Sequence, residues 1–168
     1  MENTIKFSSG IKKIAITDEN GNVATVILLD KNDNTLKSKY LDLLKRAEEI
    51  QKEHTRKLGE INLDESMEIE DAVNAVKATD DALNELVDEV EKLLGANVFH
   101  DMYSQNYEIN PNFVPTIDAI TEFLDQLIPI MEDLFGFDKP KYAASNRGKN
   151  TKTKQELIEE AKEAANAQ

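Results

Sequence analysis

A regular apolar stripe in the middle of the chain constrains the possible folds more than any other feature of the sequence. Apolar side chains recur there at alternating steps of three and four residues, a spacing that puts them on one face of a helix. They are Ile69, Val73, Val76, Leu83, Val87, Val90 and Leu94, and Asp80 alone interrupts them. The stripe predicts a helix from Ser66 to Leu94. Asp80 either specifies the pairing of this helix or marks a bend in it.

A second periodic stretch predicts a helix from Leu36 to Leu58. Its apolar face consists of Leu36, Tyr40, Leu43, Ala47 and Ile50, and His54 continues that face as a packing residue. Asp33 or Asn34 can cap its first turn. The rest of this helix carries seven basic residues against four acids, whereas residues 60–92 carry twelve acids and two lysines. Antiparallel packing of the two helices would place opposite charges side by side. Exposed ion pairs add little stability, so we expect these charges mainly to determine the register of the two helices.

A third apolar stripe follows an aromatic segment that we predict to be a short helical turn and a loop. The stripe comprises Ile117, Ile120, Leu124, Leu127, Ile128, Met131 and Leu134. We expect Asn112 to cap this helix, Pro115 to lie in its first turn and Gly136 to end it. Pro129 lies inside the predicted helix and should kink it, because proline removes one backbone hydrogen bond.

Two runs rich in Ile, Val and Thr flank the sequence ENGN and predict an antiparallel β-hairpin over residues 11–30. Asn20-Gly21 favours a two-residue type I′ turn, because that turn needs a positive φ at both central positions. With this turn, one face of the hairpin carries Ile14, Ile16, Thr25, Ile27 and Leu29. That face has to be buried, because an isolated hairpin is marginal in water. Ile5 and Phe7 suggest a third strand.

Together these elements predict an α+β fold that is mainly α. An N-terminal antiparallel β-hairpin leads into a bundle of three long helices, and residues 1–137 form this body. Residues 138–168 form a flexible basic tail, made of a basic linker and a short C-terminal helix. Six positive charges and no negative one lie in the stretch KPKYAASNRGKNTKTK. The terminal helix opens with Thr153 and Glu156 in capping-box spacing, but it is too short to be stable alone.

The composition excludes several classes of protein. Without cysteine, the chain can form neither disulfide bonds nor zinc–cysteine sites. No apolar run approaches the roughly 18 residues of a membrane span, and the first residues lack the apolar core of a signal peptide. A net charge of −13 argues against general nucleic-acid binding, because phosphate contacts need clustered Lys and Arg. We therefore expect no membrane partner and no nucleic-acid partner.

No catalytic motif is visible in the chain. Two groups of carboxylates stand out. The first consists of Glu65, Glu68 and Asp71, and the second of Asp88, Glu89 and Glu91. Most of them lie on the polar side of an amphipathic helix, where solvated charge is usual. A carboxylate-bridged metal site would need Glu-x-x-His pairs facing a bundle core, and neither His54 nor His100 has that context. We expect no catalytic residue, no metal and no cofactor, and a protein that is not an enzyme.

The order of these parts resembles the small tail assembly chaperones of siphophages that infect Gram-positive bacteria. The parts are the hairpin, the charged helix LKSKYLDLLKRAEEIQKE, an acidic helix, an apolar helix ending in IMEDLFGF, and the tail KYAASNRGKNTK. In those proteins a short tail with a Tyr, an Asn-Arg pair and further basic residues follows the helical body. The comparable partner-binding positions here are Tyr142, Asn146, Arg147 and Lys149, followed by Lys152 and Lys154. This chain departs from the usual tail, because no proline precedes Asn146 and an acidic segment follows Lys154.

The resemblance implies a non-enzymatic protein of the host bacterial cytoplasm that is absent from the mature virion. It implies two partners. One is the tape measure protein, whose long apolar helices the chaperone would keep soluble, and the other is the major tail protein that forms the tube. The basic stretch, residues 139–154, would be a flexible contact for an acidic partner, or else an ordinary solubilising tail. A homo-oligomer is also plausible, because the stripe of the second helix is longer than one chain readily covers.

Two other classes of function remain as alternatives. The first is a structural phage component, such as a head–tail connector or a minor tail protein, which would be present in purified particles. The second is an acidic inhibitor that mimics DNA. Such an inhibitor would need carboxylates along one exposed surface at the spacing of phosphates, whereas here they concentrate on one helix with a basic helix next to it in sequence.

Overall fold

The computed structural model of the chain describes residues 2–136. In this part of the chain, two strands precede five helices. The strands are β1 (Ile11–Thr17) and β2 (Val23–Asp30), and the helices are α1 (Asn34–Gly59), α2 (Ile69–Leu94), α3 (Val98–Met102), α4 (Ser104–Ile109) and α5 (Ile117–Phe135). The predicted α+β, mainly α fold is confirmed, with an N-terminal antiparallel hairpin and three long helices. The aromatic segment forms two short helices, α3 and α4.

The strands of the hairpin pair in the register that the sequence predicts. Ile14 lies opposite Ile27 and Ile16 lies opposite Thr25, so the predicted apolar face is confirmed. Ile27 and Leu29 on this face are almost completely buried. Ile14 and Ile16 are only half-buried. The side chains of β2 are more deeply buried than those of β1 because α2 and α3 both contact β2.

The turn of the hairpin differs from the prediction. Residues 18–22 join the strands, and a register shift at the end of β1 accommodates this longer loop. Gly21 has a φ of 81°, but Asn20 does not have a positive φ, so the connection is not a type I′ turn. The Asp18 carboxylate accepts hydrogen bonds from the amides of Asn20 and Asn22, at 2.9 and 2.8 Å. The Asp18 side chain thus provides hydrogen-bond acceptors for two backbone amides of the loop. A two-residue turn would not need such an acceptor.

The third strand expected at Ile5 and Phe7 is wrong. Both side chains are exposed, at 92% and 88%, and residues 2–10 form no strand. The Gly10 carbonyl accepts a hydrogen bond from the Lys31 amide at 3.1 Å, which continues the antiparallel pairing beyond β1. The residues before Gly10 therefore run on past the end of the sheet, instead of turning back along the free edge of β1.

Asp33, one of the two predicted caps, caps α1. Its carboxylate accepts hydrogen bonds from the amide and the hydroxyl of Thr35, at 2.8 and 2.6 Å. The first of these bonds satisfies an amide that has no partner inside the helix. The hydroxyl bond is the largest cause of a pKa of Asp33 that lies below its usual value of 3.8.

We expect this cap to make the stability of the protein depend on pH. Because the pKa of Asp33 is lowered on folding, its contribution is complete above the unfolded value near 3.8 and is lost as the pH falls through the lower folded value. Asp33→Asn keeps a capping side chain without the titration. In thermal unfolding followed by circular dichroism, the advantage of the wild type over Asp33→Asn should shrink between about pH 6 and about pH 2.5. An advantage that is the same at both values would contradict this account of the cap.

The start of α2 differs from the prediction, because the helix begins at Ile69 rather than Ser66. The amide and the hydroxyl of Ser66 both donate to the Asp64 carboxylate, at 2.8 and 2.6 Å. These bonds hold Ser66 in a turn and compete with its entry into the helix. The helix ends at the predicted position, because the C-cap Gly95 has a φ of 65° in the left-handed region.

The start of α5 also differs, because the predicted cap at Asn112 is wrong. The helix begins at Ile117, and the hydroxyl of Thr116 accepts a hydrogen bond from the amide of Ala119 at 3.3 Å. Pro115 precedes the helix instead of lying in its first turn. A proline favours an extended conformation for the residue before it, which opposes an earlier helix start.

The chain divides into two compact units between Ile128 and Pro129, and α5 continues through Pro129. The core of the first unit joins β2 to the long helices through α3. Its buried residues include Ile27 and Leu29 of β2, Leu36, Tyr40 and Leu43 of α1, Val87, Val90 and Leu93 of α2, Phe99 of α3, and Ile120, Phe123 and Leu127 of α5. Phe99 and Phe123 meet edge to face, with ring centroids 5.1 Å apart. The described part of the second unit is the end of α5.

Candidate protein-interaction surface

α1 and α2 pack side by side in antiparallel order. Arg46 of α1 forms an ion pair with Glu85 of α2, and further along α1 the Nε2 atom of His54 lies 3.0 Å from the hydroxyl of Thr79. The hydrogen bonds that the Arg46 guanidinium donates to the carboxylates of Glu85 and, to a smaller extent, Glu49 raise the pKa of Arg46. The predicted pairing of a basic helix with an acidic one is therefore confirmed, and His54 is the partly buried packing residue that the sequence indicated.

Burial along this pair of helices is uneven. The buried residues of α1 lie between Leu36 and Ile50, and those of α2 lie between Val87 and Leu94. Because the helices are antiparallel, both sets lie at the same end of the pair, next to the core. Residues 51–86, which we call the distal arm, contain no fully buried residue.

In the distal arm, the apolar part of the contact between α2 and α1 is made by small side chains. Ala78 and Ala82 line a shallow groove together with Ile50 and His54 of α1, and Thr79 holds His54 from the same side. Within the distal arm, the apolar stripe of α2 is thus not the surface that lines this groove with α1. The helix pair closes on the alanine side because small residues allow two helices to approach closely.

The first part of the apolar stripe of α2 is exposed as a result. Ile69, Val73 and Val76 are 85%, 58% and 61% exposed, whereas Val87 and Val90 of the same stripe are buried. Steps of four and three residues put the three exposed side chains on one face of the helix. We call Ile69, Val73 and Val76 the exposed stripe. An apolar helix face of this kind is a surface that a second amphipathic helix can cover.

Asp80 lies at the boundary between the exposed and the covered parts of α2. It is exposed, it follows Val76 by about one turn, and the next residue of the stripe, Leu83, is half-buried. The helix is continuous through this position. The acid therefore lies beside the exposed stripe rather than inside the core.

The segment of the chain that carries the exposed stripe is acidic. Residues 68–81 contain the acids Glu68, Glu70, Asp71, Asp80 and Asp81 and one basic residue, Lys77. The local net charge is therefore −4. None of these five acids forms an ion pair with another described residue. By contrast, Glu48, Glu49 and Glu53 of α1 each pair with a lysine or an arginine.

Two further apolar side chains extend this surface into the turn before α2. Leu63 and Met67 are 50% and 43% exposed, and they flank the turn that Asp64 forms with Ser66. Hydrogen bonds from Ser66 lower the pKa of Asp64, the bond from the hydroxyl being the largest cause. The end of the distal arm thus combines exposed apolar groups with carboxylates that form no ion pair with another described residue, such as Glu68 and Glu70.

A second exposed apolar area lies on the outer face of the hairpin. Ile11, Val26 and Leu28 are each about half exposed, and they alternate with the buried inner residues of the strands. Our sequence reasoning missed this area because it considered only the inner face. The signal was the continuous apolar run VATVILL, which is typical of a strand covered on both faces.

The carboxylates that the sequence singled out have structural contacts or are solvated. Glu91 accepts a hydrogen bond from the amide of Phe99 at 2.9 Å, and Glu89 pairs with Lys92 at 3.0 Å. His100 stacks on a tyrosine ring of α4. Within residues 2–136, no group of three or more His, Cys, Asp or Glu side chains is placed to hold a metal ion.

The predicted contact residues of the basic stretch lie outside the described part of the chain. They are Tyr142, Asn146, Arg147, Lys149, Lys152 and Lys154. Among the helices that are described, none is both long and apolar enough to cross a membrane. Comparison of the chain with protein-family models, with curated proteins and with solved structures found no match.

Proposed function

We propose that this protein is a phage tail assembly chaperone that binds the tape measure protein and recruits tail-tube subunits to it. The observation that supports the proposal is the exposed stripe of α2, with three branched apolar side chains uncovered on one helix face. A tape measure protein presents long helical apolar stripes before the tail is assembled. Two such stripes bury one another in the way that amphipathic helices fill apolar grooves.

In this proposal the protein acts by covering apolar surface and not by catalysis. The distal arm contacts the client, while the core at the other end of α1 and α2 keeps the arm folded. The high negative charge keeps the complex soluble and opposes random association of clients. The protein works in the host cytoplasm and leaves before the virion is complete.

Co-expression with the cognate tape measure protein tests this function. The soluble yield of the tape measure protein should rise several-fold, and the two proteins should co-purify, because the chaperone replaces water on the client's apolar stripes. A tape measure protein that is equally soluble when expressed alone would remove the main support of the proposal. Mass spectrometry of purified particles gives a second test, since abundant chain in mature virions would favour a structural component instead.

In the proposed function, the basic stretch binds an acidic partner, and this role leads to a separate prediction. Six substitutions to serine, at Lys139, Lys141, Arg147, Lys149, Lys152 and Lys154, should weaken binding of the tape measure protein or of the major tail protein. Binding by the unchanged protein should weaken in the same way at high salt, because exposed charge pairs are screened over about 10 Å at 0.1 M. Arg147 should matter most, since its planar fork can bind a carboxylate with two hydrogen bonds.

Titration of both partners by calorimetry at low salt measures this effect. The thermal midpoint of the variant is the control, and it should barely move, because polar surface substitutions usually change stability by within about ±0.5 kcal/mol. Unchanged affinity for both partners would mean that the stretch is a solubilising tail.

A further inference from the structure

We propose that Asp80 and the acidic flank of the exposed stripe select a partner helix that carries lysine or arginine beside its apolar side chains. The proposal rests on the proposed function, because it concerns the same surface of α2, and it names the chemistry of the segment that this surface binds. It also assigns a role to the one residue that interrupts the apolar stripe of the sequence.

The position of Asp80 is the first step of the argument. Ile69 and Asp80 are eleven residues apart, which is three turns of a helix, so the acid lies on the same face as the exposed stripe. A helix that covers Val73 and Val76 would also cover Asp80. A carboxylate that loses its water without gaining a partner is strongly unfavourable, so the partner must bring a positive charge to this point.

The charges around the stripe are the second step. The five acids of residues 68–81 have no ion-pair partner among the described residues, whereas Glu48, Glu49 and Glu53 of α1 are paired within their own helix. Lys77 is the only basic residue within residues 68–81. Asp80 lies on the face of the exposed stripe, and Glu68 and Glu70 lie at the end of the helix where the stripe begins. All three are exposed and form no ion pair with another described residue. An incoming basic group can therefore reach them, and three acids favour a basic flank over a single basic residue.

The same charges argue against occupants from this protein itself. Two copies of the exposed stripe packed face to face would bring acid against acid, and like charges across an interface are unfavourable. The C-terminal segment of the chain, residues 155–168, has four glutamates and one lysine, so its charge is also of the wrong sign. The basic stretch has the right charge but Tyr142 is its only large apolar residue. A basic amphipathic helix of another protein meets both requirements.

The length of the surface sets the size of the segment that fits it. The residues from Ile69 to Asp80 rise about 16 Å along the helix axis. A partner helix would place about three turns against this length, with apolar side chains at steps of three and four and basic side chains next to them.

Fluorescence anisotropy with two synthetic peptides tests the proposal. Both are amphipathic helices of about 20 residues with the same leucine stripe, and the flanking positions are all lysine in one and all glutamate in the other. The wild-type protein should bind the lysine peptide at least about tenfold more tightly than the glutamate peptide at low salt, and the preference should shrink as salt is added. Asp80→Lys should reduce the preference to less than about threefold.

Glu19→Lys is the matched control, because it makes the same change of charge at an exposed position in the hairpin loop. It should keep the preference of the wild type. Equal binding of the two peptides by the wild type, or equal effects of Asp80→Lys and Glu19→Lys, would overturn the proposal. Binding of neither peptide would overturn it as well, while the co-expression experiment would still decide the chaperone function independently.

Light scattering tests whether a second copy of the protein, rather than a basic partner helix, covers the exposed stripe. The wild type should be monomeric at the concentrations used for the peptide titration. A dimer that Val73→Glu dissociates would show that a second copy covers the exposed stripe, and would overturn the choice of a basic partner helix.

Discussion

Replacing Phe99 by alanine should lower the free energy of unfolding by about 3–5 kcal/mol. Phe99 is completely buried and its ring meets Phe123 edge to face, at 5.1 Å between centroids. It lies in α3, the short helix that contacts both β2 and α2. The substitution therefore removes apolar contacts at the point where the hairpin joins the helices, and the surrounding backbone can fill the cavity only in part.

Phe7→Ala provides a matched control for this prediction. It deletes the same side chain at a position that is 88% exposed, so the free energy of unfolding should change by less than about 0.5 kcal/mol. Urea unfolding followed by circular dichroism at 222 nm, where α-helices give a strong negative signal, measures both variants. Similar midpoints for the two alanine variants would contradict the position of Phe99 at the centre of the core.

Introducing two charges into the exposed stripe should have the largest effect on function. Under the function proposed above, the double variant Val73→Glu with Val76→Glu should bind the tape measure protein about 30-fold or more weakly, because an unpaired carboxylate in an apolar contact costs about 2 kcal/mol or more. The soluble yield of the tape measure protein in co-expression should fall to the level seen when it is expressed alone. Stability should change little, since both valines are more than half exposed in the free protein.

Asn74→Glu with Asn84→Glu is the control for this variant. Both asparagines are exposed on α2, and neither belongs to the apolar stripe. The control adds the same two charges to the same helix, so it separates the loss of the apolar surface from a general effect of charge. If both double variants reduce binding equally, the exposed stripe is not the contact surface.

Much of the fold could be predicted from the sequence because its determinants are local. The register of the hairpin follows from the alternation of apolar residues, since a shift by one position would turn Ile27 and Leu29 outward. The bodies of α1, α2 and α5 follow from apolar periodicity in the same way. The wrong details were at the ends, where an aspartate or threonine side chain competed for backbone amides, as at Asp18, Asp64 and Thr116.

The candidate surface was only partly visible in the sequence. Periodicity identified Ile69, Val73 and Val76 as apolar positions on one face, and Asp80 as an exception among them. It treated the whole stripe as one seam, although the structure covers only its second part. The alanines that contact α1 gave no signal, because a small residue fits a helix interface and a helix surface equally well.

The sequence by itself determined which elements form, how the strands align and where each helix carries its apolar face, because these depend on residues a few positions apart. The tertiary structure decided which of those faces stay exposed. α3 and β2 reach the end of α2 that carries Val87 and Val90, and no described element covers Val73 and Val76. That difference depends on contacts between residues far apart in the chain, and the spacing of residues within one helix carries no information about them.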